Sequence, residues 1–243
     1  MAPLSGLFRA PSPPRAKTLP GKSILAVFLL TAGSVWAAVP DYVRTALAHF
    51  NPNVPAGWAY TLETTRNDRQ MTERFDPARP PGGQWTLRTF QGRSPTPEET
   101  EKYLRSRPTA GAGGTQANFQ KDDIEPGSMK LVHEDETRAE YEAGFREQSA
   151  GPDKMLEHLR LRLTICKQPA YVERYVLELI EPYWPVLGVK MHELHIEGEF
   201  TAPRDQQPSL PSRVESHFTG RILLFSNEEK LRLIYSEFSA APL

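Results

Sequence analysis

From Pro40 onward the apolar residues follow two rhythms. Over PDYVRTALAHF, residues 40–50, Val43, Leu47 and Phe50 recur at helical spacing behind a Pro-Asp start, which predicts a first helix. Asn51, Pro52 and Pro55 end it. From Trp58 the period drops to two: Trp58, Tyr60 and Leu62 alternate with Ala59, Thr61 and Glu63, the polar RNDRQ turns the chain, and Met71, Glu73 and Phe75 form the second arm of a hairpin. Asp76 and Pro77 close that arm, and RPPGG, which cannot supply a continuous ladder of amide donors, must be a connection.

QWTLRTF then places Trp85, Leu87 and Thr89 on one face of a third strand and Thr86, Arg88 and Phe90 on the other. After Gln91 and Gly92, Thr96 can cap the first amides of a helix, Pro97 suits its first position, and Glu99 three residues after Thr96 completes a capping box. A short helix over PEETEKYLRSR follows. Residues 108–127, PTAGAGGTQANFQKDDIEPG, show no period and are rich in small residues, which predicts a flexible insertion.

The second half reads almost entirely as strand. KLVHEDETRAEYEAGFRE is expected to form two strands. HLRLRLTICK puts Leu159, Leu161, Leu163 and Ile165 on one face, with Arg160, Arg162, Thr164 and Cys166 on the other. YVERYVLELIEP and VKMHELHIEGEFTA continue the pattern, with Leu194, Ile196 and Phe200 sharing a face with His192 and Gly198. RVESHFTGRILLF and KLRLIYSEF are expected to form a last hairpin across SNEE, with Ile222 and Leu224 joining the apolar stripe. About nine strands at regular spacing, without helices between them, predict an antiparallel sheet.

The first 37 residues differ from the rest. Arg9, Arg15, Lys17 and Lys22 precede ILAVFLLTAGSVWA, residues 24–37, with no acid before Asp41. This is the pattern of a secretory signal, too short for a bilayer span, with Val35 and Ala37 as the small residues before a cleavage expected at Ala38; an uncleaved anchor is the alternative. The expected organisation is therefore a signal peptide over 1–37 and one domain over 38–243, exported to the periplasm. The chain carries 29 basic and 30 acidic residues, and removing those four basic residues leaves 25 against 30, a net charge of −5. That balance gives no electrostatic reason to hold nucleic acid. Cys166 is the single cysteine, so stability must come from burial and not from an internal disulfide.

Candidate chemistry is sparse. HELH spaces His192 and His195 wrongly for a zinc helix, and on a strand an odd separation sends them to opposite faces, so neither a metal nor another cofactor is expected. Cys166 lies in no nucleophile motif, no Gly-x-Ser-x-Gly elbow is present, and Asp122 and Asp123 are paired only in sequence within the expected insertion. No catalytic residue is expected.

The order of helix, hairpin, strand, short helix and long meander after a cleavable signal resembles the periplasmic lipoprotein carriers of Gram-negative bacteria. ERFDPARPPGGQWTLRTFQGRSPTPEE, LPSRVESHFTGRILLF and LIYSEF also resemble a set of uncharacterised secreted bacterial proteins. The carrier resemblance implies an α+β fold in which a strongly curved antiparallel sheet, a half-open β-barrel, wraps two or three helices on its concave face and holds acyl chains between. The expected role is non-catalytic: binding a lipid, a lipoprotein or another envelope partner through apolar surface, with Trp85, Leu87, Leu161, Leu163, Ile196 and Phe200 as lining residues. Two competitors remain. One is an envelope hydrolase using His133 or His192 with a nearby acid. The other is an assembly protein that pairs through a free sheet edge.

Overall fold

The computed structural model describes residues 39–106, 119–147, 155–205 and 207–241. The expected signal segment and the glycine-rich part of the expected insertion, residues 108–118, lie outside the described residues. The compact unit that begins at Ala38 is a single antiparallel sheet with two α-helices.

The chain opens with α1 (Asp41–His49) and the hairpin of β1 (Trp58–Arg66) and β2 (Arg69–Phe75), followed by β3 (Trp85–Phe90) and α2 (Pro97–Ser106). After the undescribed segment come β4 (Ile124–Glu134), β5 (Arg138–Phe145), β6 (Leu159–Lys167), β7 (Ala170–Leu179), β8 (Tyr183–Val186), β9 (Val189–Phe200), β10 (Pro211–Ile222) and β11 (Phe225–Ala240). These eleven strands lie in the order β3-β2-β1-β11-β10-β9-β7-β6-β5-β4, with β8 beside β9. The last strand thus docks against the first in mid-sheet, while β3 and β4 form its edges. The sheet is neither closed nor strongly curled.

Local chemistry explains the joints. The expected capping box at α2 is present: the Glu99 amide donates to Thr96 Oγ1 at 3.2 Å and the Thr96 amide to Glu99 Oε2 at 2.8 Å. Arg93 clamps the same carboxylate from outside at 2.9 and 2.7 Å. The β4–β5 turn is held by Asp135, whose Oδ1 accepts the amides of Thr137 and Arg138 at 2.7 and 2.8 Å.

One rung shows how the inner face is built. Tyr141, Leu163, Tyr175, Gly198, Val214, Leu233, Thr64 and Met71 are successive register partners from β5 across to β2. A Cβ on Gly198 would stand 2.2 Å from Tyr175 Cε1, so the absence of a side chain there makes room for the tyrosine ring.

Several features differ from the sequence reading. Of the expected insertion, residues 119–127 are folded: Phe119 and Ile124 are 1% and 2% exposed, and Lys121–Asp123 form a 3-10 turn. The last hairpin turns at Leu223 and Leu224, since Ile222 pairs with Phe225, and SNEE lies within β11. Ile222 and Leu224 are therefore exposed tip residues and not part of the buried stripe. His192 does not share a face with Leu194, because a bulge between Thr219/Glu193 and Gly220/Met191 skips it and hands the inner position to Met191.

Two outcomes are expected. Gly198→Ala should lower stability by about 1–3 kcal/mol through overpacking against Tyr175, read as a lower urea midpoint. The hydrogen bonds from Arg93 and then from the Thr96 amide hold the Glu99 carboxyl at about 2 instead of the usual 4.5. Its folded value is depressed, so its contribution is complete above pH 4.5 and is lost as pH falls toward 2. Glu99→Gln should therefore lower the urea midpoint at pH 6 and leave it unchanged near pH 2.

Candidate ligand-binding face

α1 lies on the inner face over β6 and β7. A nine-residue helix is too short to persist alone in water, and its anchorage is tertiary. Val43, Ala46 and Phe50 are buried, and the Phe50 ring meets Phe200, Phe119 and Tyr175 at centroid distances of 5.4, 6.2 and 6.3 Å. The Tyr42 and Tyr141 hydroxyls hydrogen-bond at 2.9 Å. Lys121 Nζ donates to the Ala48 carbonyl at 3.0 Å, satisfying one free acceptor at the helix C-terminus.

At the centre of this face stands Tyr175, wholly buried. Its ring packs edge-on to Phe119 at 5.4 Å and beside Phe200 at 5.9 Å. Its hydroxyl has no hydrogen-bond partner among the described residues. Burial drives the ionisation of Tyr175 upward, as it does for Tyr103 and Tyr235, so these phenols stay neutral donors throughout the ordinary pH range. A buried donor without an acceptor costs about 1–3 kcal/mol, and this one lies over Gly198, 2.9 Å from where a Cβ would stand.

The expected lining residues all fall in the buried core, each at most 8% exposed, but in two groups. Leu161 and Ile196 flank Leu177 on one rung, Leu163 pairs with Tyr175, and Phe200 touches Phe50 and Tyr175. Trp85 and Leu87 belong to the far edge, where Trp85 packs on Phe75 at 5.0 Å and on Tyr60 at 5.8 Å. From β3 to β9 is five strand steps, on the order of 24 Å at about 4.8 Å each. The sequence reading missed Tyr175 and Phe119. It set Glu73 in phase with Met71 and Phe75 but did not draw the consequence, a wholly buried carboxylate on the rung between Leu62 and Leu87 that accepts from Thr64 Oγ1 at 3.3 Å. Strict alternation in MTERF was the available signal, since it puts Glu73 on the same face as Phe75.

Elsewhere the polar groups are committed to structure. His133 and His192 are exposed, and neither hydrogen-bonds a carboxylate among the described residues. The histidine–carboxylate meetings lie on the outer face: His195 Nδ1 to Glu178 at 3.5 Å and His217 Nε2 to Glu228 at 3.2 Å. Both are solvent-facing, and Ser216, beside His217, belongs to the inner rung of Ile196 and Leu231. A cleft of about 730 Å³ at one end of β4, β5 and β6 is lined by Ser128, Lys130, Glu142, Phe145, Leu156 and Arg160 among others. Its hydroxyl is already occupied: Ser128 Oγ accepts the Gly144 amide and donates to the Glu125 carbonyl, both at 2.7 Å. Cys166 is half-buried, as alternation predicts. Among the described residues no group of three or more His, Cys, Asp or Glu side chains could hold a metal ion, and no helix is long and apolar enough to cross a membrane. The edge strand β4 exposes Leu131 and Val132, but its register breaks between Glu125 and Lys130 and again between Leu131 and His133, which interrupts the flat ladder that strand addition requires.

Comparison with protein-family models, curated proteins and solved structures returns no match for this chain.

Proposed function

We propose that this protein is a non-catalytic binder of an acyl-chain ligand, taken up between α1 and the inner face of the sheet. Export to the periplasm and the layout resembling lipoprotein carriers belong to the same reading. The observation that carries it is the Tyr175 hydroxyl, a buried donor with no acceptor among the described residues, on a ring set among Phe50, Phe119 and Phe200. An acyl chain would replace the contacts of α1 with its own apolar surface at about 25 cal/mol per Å², and its carboxyl or ester oxygen would accept from Tyr175.

Uptake requires α1 to lift, exposing Leu161, Leu163, Ile196 and Phe200 to the ligand. The helix suits that role because it is short and its polar ties to other elements, Tyr42 to Tyr141 and Glu134 and Lys121 to Ala48, are few. In the loaded state the sheet would bend further around the ligand toward a half-open barrel, at the bulges between Ala59 and Thr61 on β1 and between Thr164 and Ile165 on β6. Trp85 and Leu87 lie far enough along the face to meet only the distal end of a long chain.

Residues 38–243, whose described core starts at Val43, are the material for the test, titrated with a fluorescent long-chain fatty acid. Saturable uptake in the micromolar range is expected. Tyr175→Phe should weaken it about 5–10-fold, the equivalent of one hydrogen bond, while raising the stability of the ligand-free protein by about 1 kcal/mol. No uptake at micromolar probe would remove the reading, and unchanged affinity in Tyr175→Phe would remove the role of the hydroxyl.

A further inference from the structure

Two hairpin tips meet at one end of the sheet and hold large apolar side chains in solvent. The β8–β9 turn presents Val186 and Leu187, and the β10–β11 turn presents Leu223, Leu224 and Phe225, with exposures from 58% for Val186 to 103% for Leu187. The tips are joined: the Leu223 amide donates to the Gly188 carbonyl at 2.6 Å, and a Cβ on Gly188 would stand 2.9 Å from Leu223 Cδ2. Leu223 has φ of +55°, a conformation that two-residue hairpin turns normally give to Gly, Asn or Asp. A leucine therefore occupies a backbone position that disfavours it, and is left in water as well.

Behind the tip the chemistry changes rung by rung. Val189, Ile222 and Phe225 form the first rung; Lys190, Arg221 and Ser226 the second; Met191, Gly220 and Asn227 the third. Acids enter only on the fourth, where Glu193 and Glu228 flank Thr219, about 10 Å back at about 3.3 Å per residue. Lys190 and Arg221 stand directly opposite one another, an arrangement that repels, and neither has an ion-pair partner among the described residues. Lys190 Nζ lies 4.5 Å over the ring of Trp184, itself 61% exposed.

We propose that this twin-hairpin tip inserts into the interface of an anionic lipid bilayer. Leu187, Leu223, Leu224 and Phe225 enter the acyl boundary, Trp184 sits at headgroup depth, and Lys190 and Arg221 meet lipid phosphates. The depth over which a surface-bound segment buries its apolar side, about 5–10 Å, matches the span from tip to acidic rung. Aromatic and basic residues at headgroup level are the anchors an interfacial element uses. The cation pair also favours a bilayer over a second copy, because tip-to-tip pairing would set Lys190 and Arg221 against the same cations. The inference stands whether or not the inner face takes an acyl chain.

The test is co-sedimentation of residues 38–243, a compact unit of their own, with vesicles of phosphatidylcholine containing about one quarter phosphatidylglycerol, and with phosphatidylcholine alone. Binding is expected to the anionic vesicles, weakening with added salt. Leu223→Asp with Leu224→Asp should reduce it at least about tenfold, and Lys190→Gln with Arg221→Gln about thirtyfold, at about 1 kcal/mol for each cation near the surface. Leu223, Leu224 and Arg221 are exposed and Lys190 is half-buried, and the substitutions relieve a disfavoured φ and a like-charge contact, so the thermal midpoint should not fall, and Leu224→Ser provides a milder variant if the double aspartate chain misfolds. Failure to sediment with either vesicle, or equal sedimentation of the aspartate variant, overturns the proposal. So does a concentration-dependent dimer in vesicle-free sedimentation velocity that the aspartate substitutions abolish, which would assign the tip to a second copy.

Discussion

The ring of Tyr175 lying across Gly198 is the contact on which the inner face depends. A side chain at residue 198 would occupy the space of the ring, and without the ring Phe50 and Phe119 would lose the surface they pack on edge-to-face. Phe50 is the last buried residue of the α1 stripe, and Phe119 brings the chain back to the sheet just before β4. One bare glycine thereby seats the aromatic group that orders the helix α1 over the sheet centre and the entry to the second half of the chain. The same contact leaves a phenol hydroxyl over Gly198 with no hydrogen-bond partner among the described residues, which is why the structural centre is also the proposed ligand site.

The two faces of the sheet are stabilised by different physics. The inner face is largely apolar, Glu73 and Thr64 being its buried polar residues, so each ring or methyl contributes through burial. The outer face is a ladder of charges: Arg162 and Arg160 meet Glu178 at 2.6 and 3.3 Å, and Arg174 meets Glu197 at 2.8 Å. Exposed pairs of this kind contribute little to stability. They do fix which face is wet, since slipping any central strand by one residue would turn arginines and glutamates into the aromatic core. The bulge at His192 is a local slip of this sort, confined to one residue: it keeps Met191 inside and His192 in water where uniform alternation would have reversed them.

That division also explains where sequence reading succeeded. Leu159, Leu161, Leu163 and Ile165 declare their face by period two, and all four are buried. The capping box at Thr96 and Glu99 is a pattern spanning four residues and was legible for the same reason. The His192 bulge, the turn at Leu223 and Leu224 and the burial of Phe119 were not legible. Each depends on what a neighbouring strand does: β10 sets the bulge, the pairing of Ile222 with Phe225 sets the turn, and β7 supplies the ring that Phe119 meets. A glycine-rich approach and a charged KDD disguised Phe119 as part of a loop.

The sequence by itself determined the strand alternation, the helix start and cap, the dependence on burial in a chain with one cysteine, and the antiparallel class, because these follow from residues within a few positions of one another. Tertiary structure alone decided that β11 docks on β1, that Leu161, Leu163, Ile196 and Phe200 converge on Tyr175 while Trp85 and Leu87 stand apart, and that two apolar turns distant in sequence form one exposed tip. Those outcomes rest on register between strands far apart in the chain, and register is set by the complementarity of whole faces, a property no local window of residues contains.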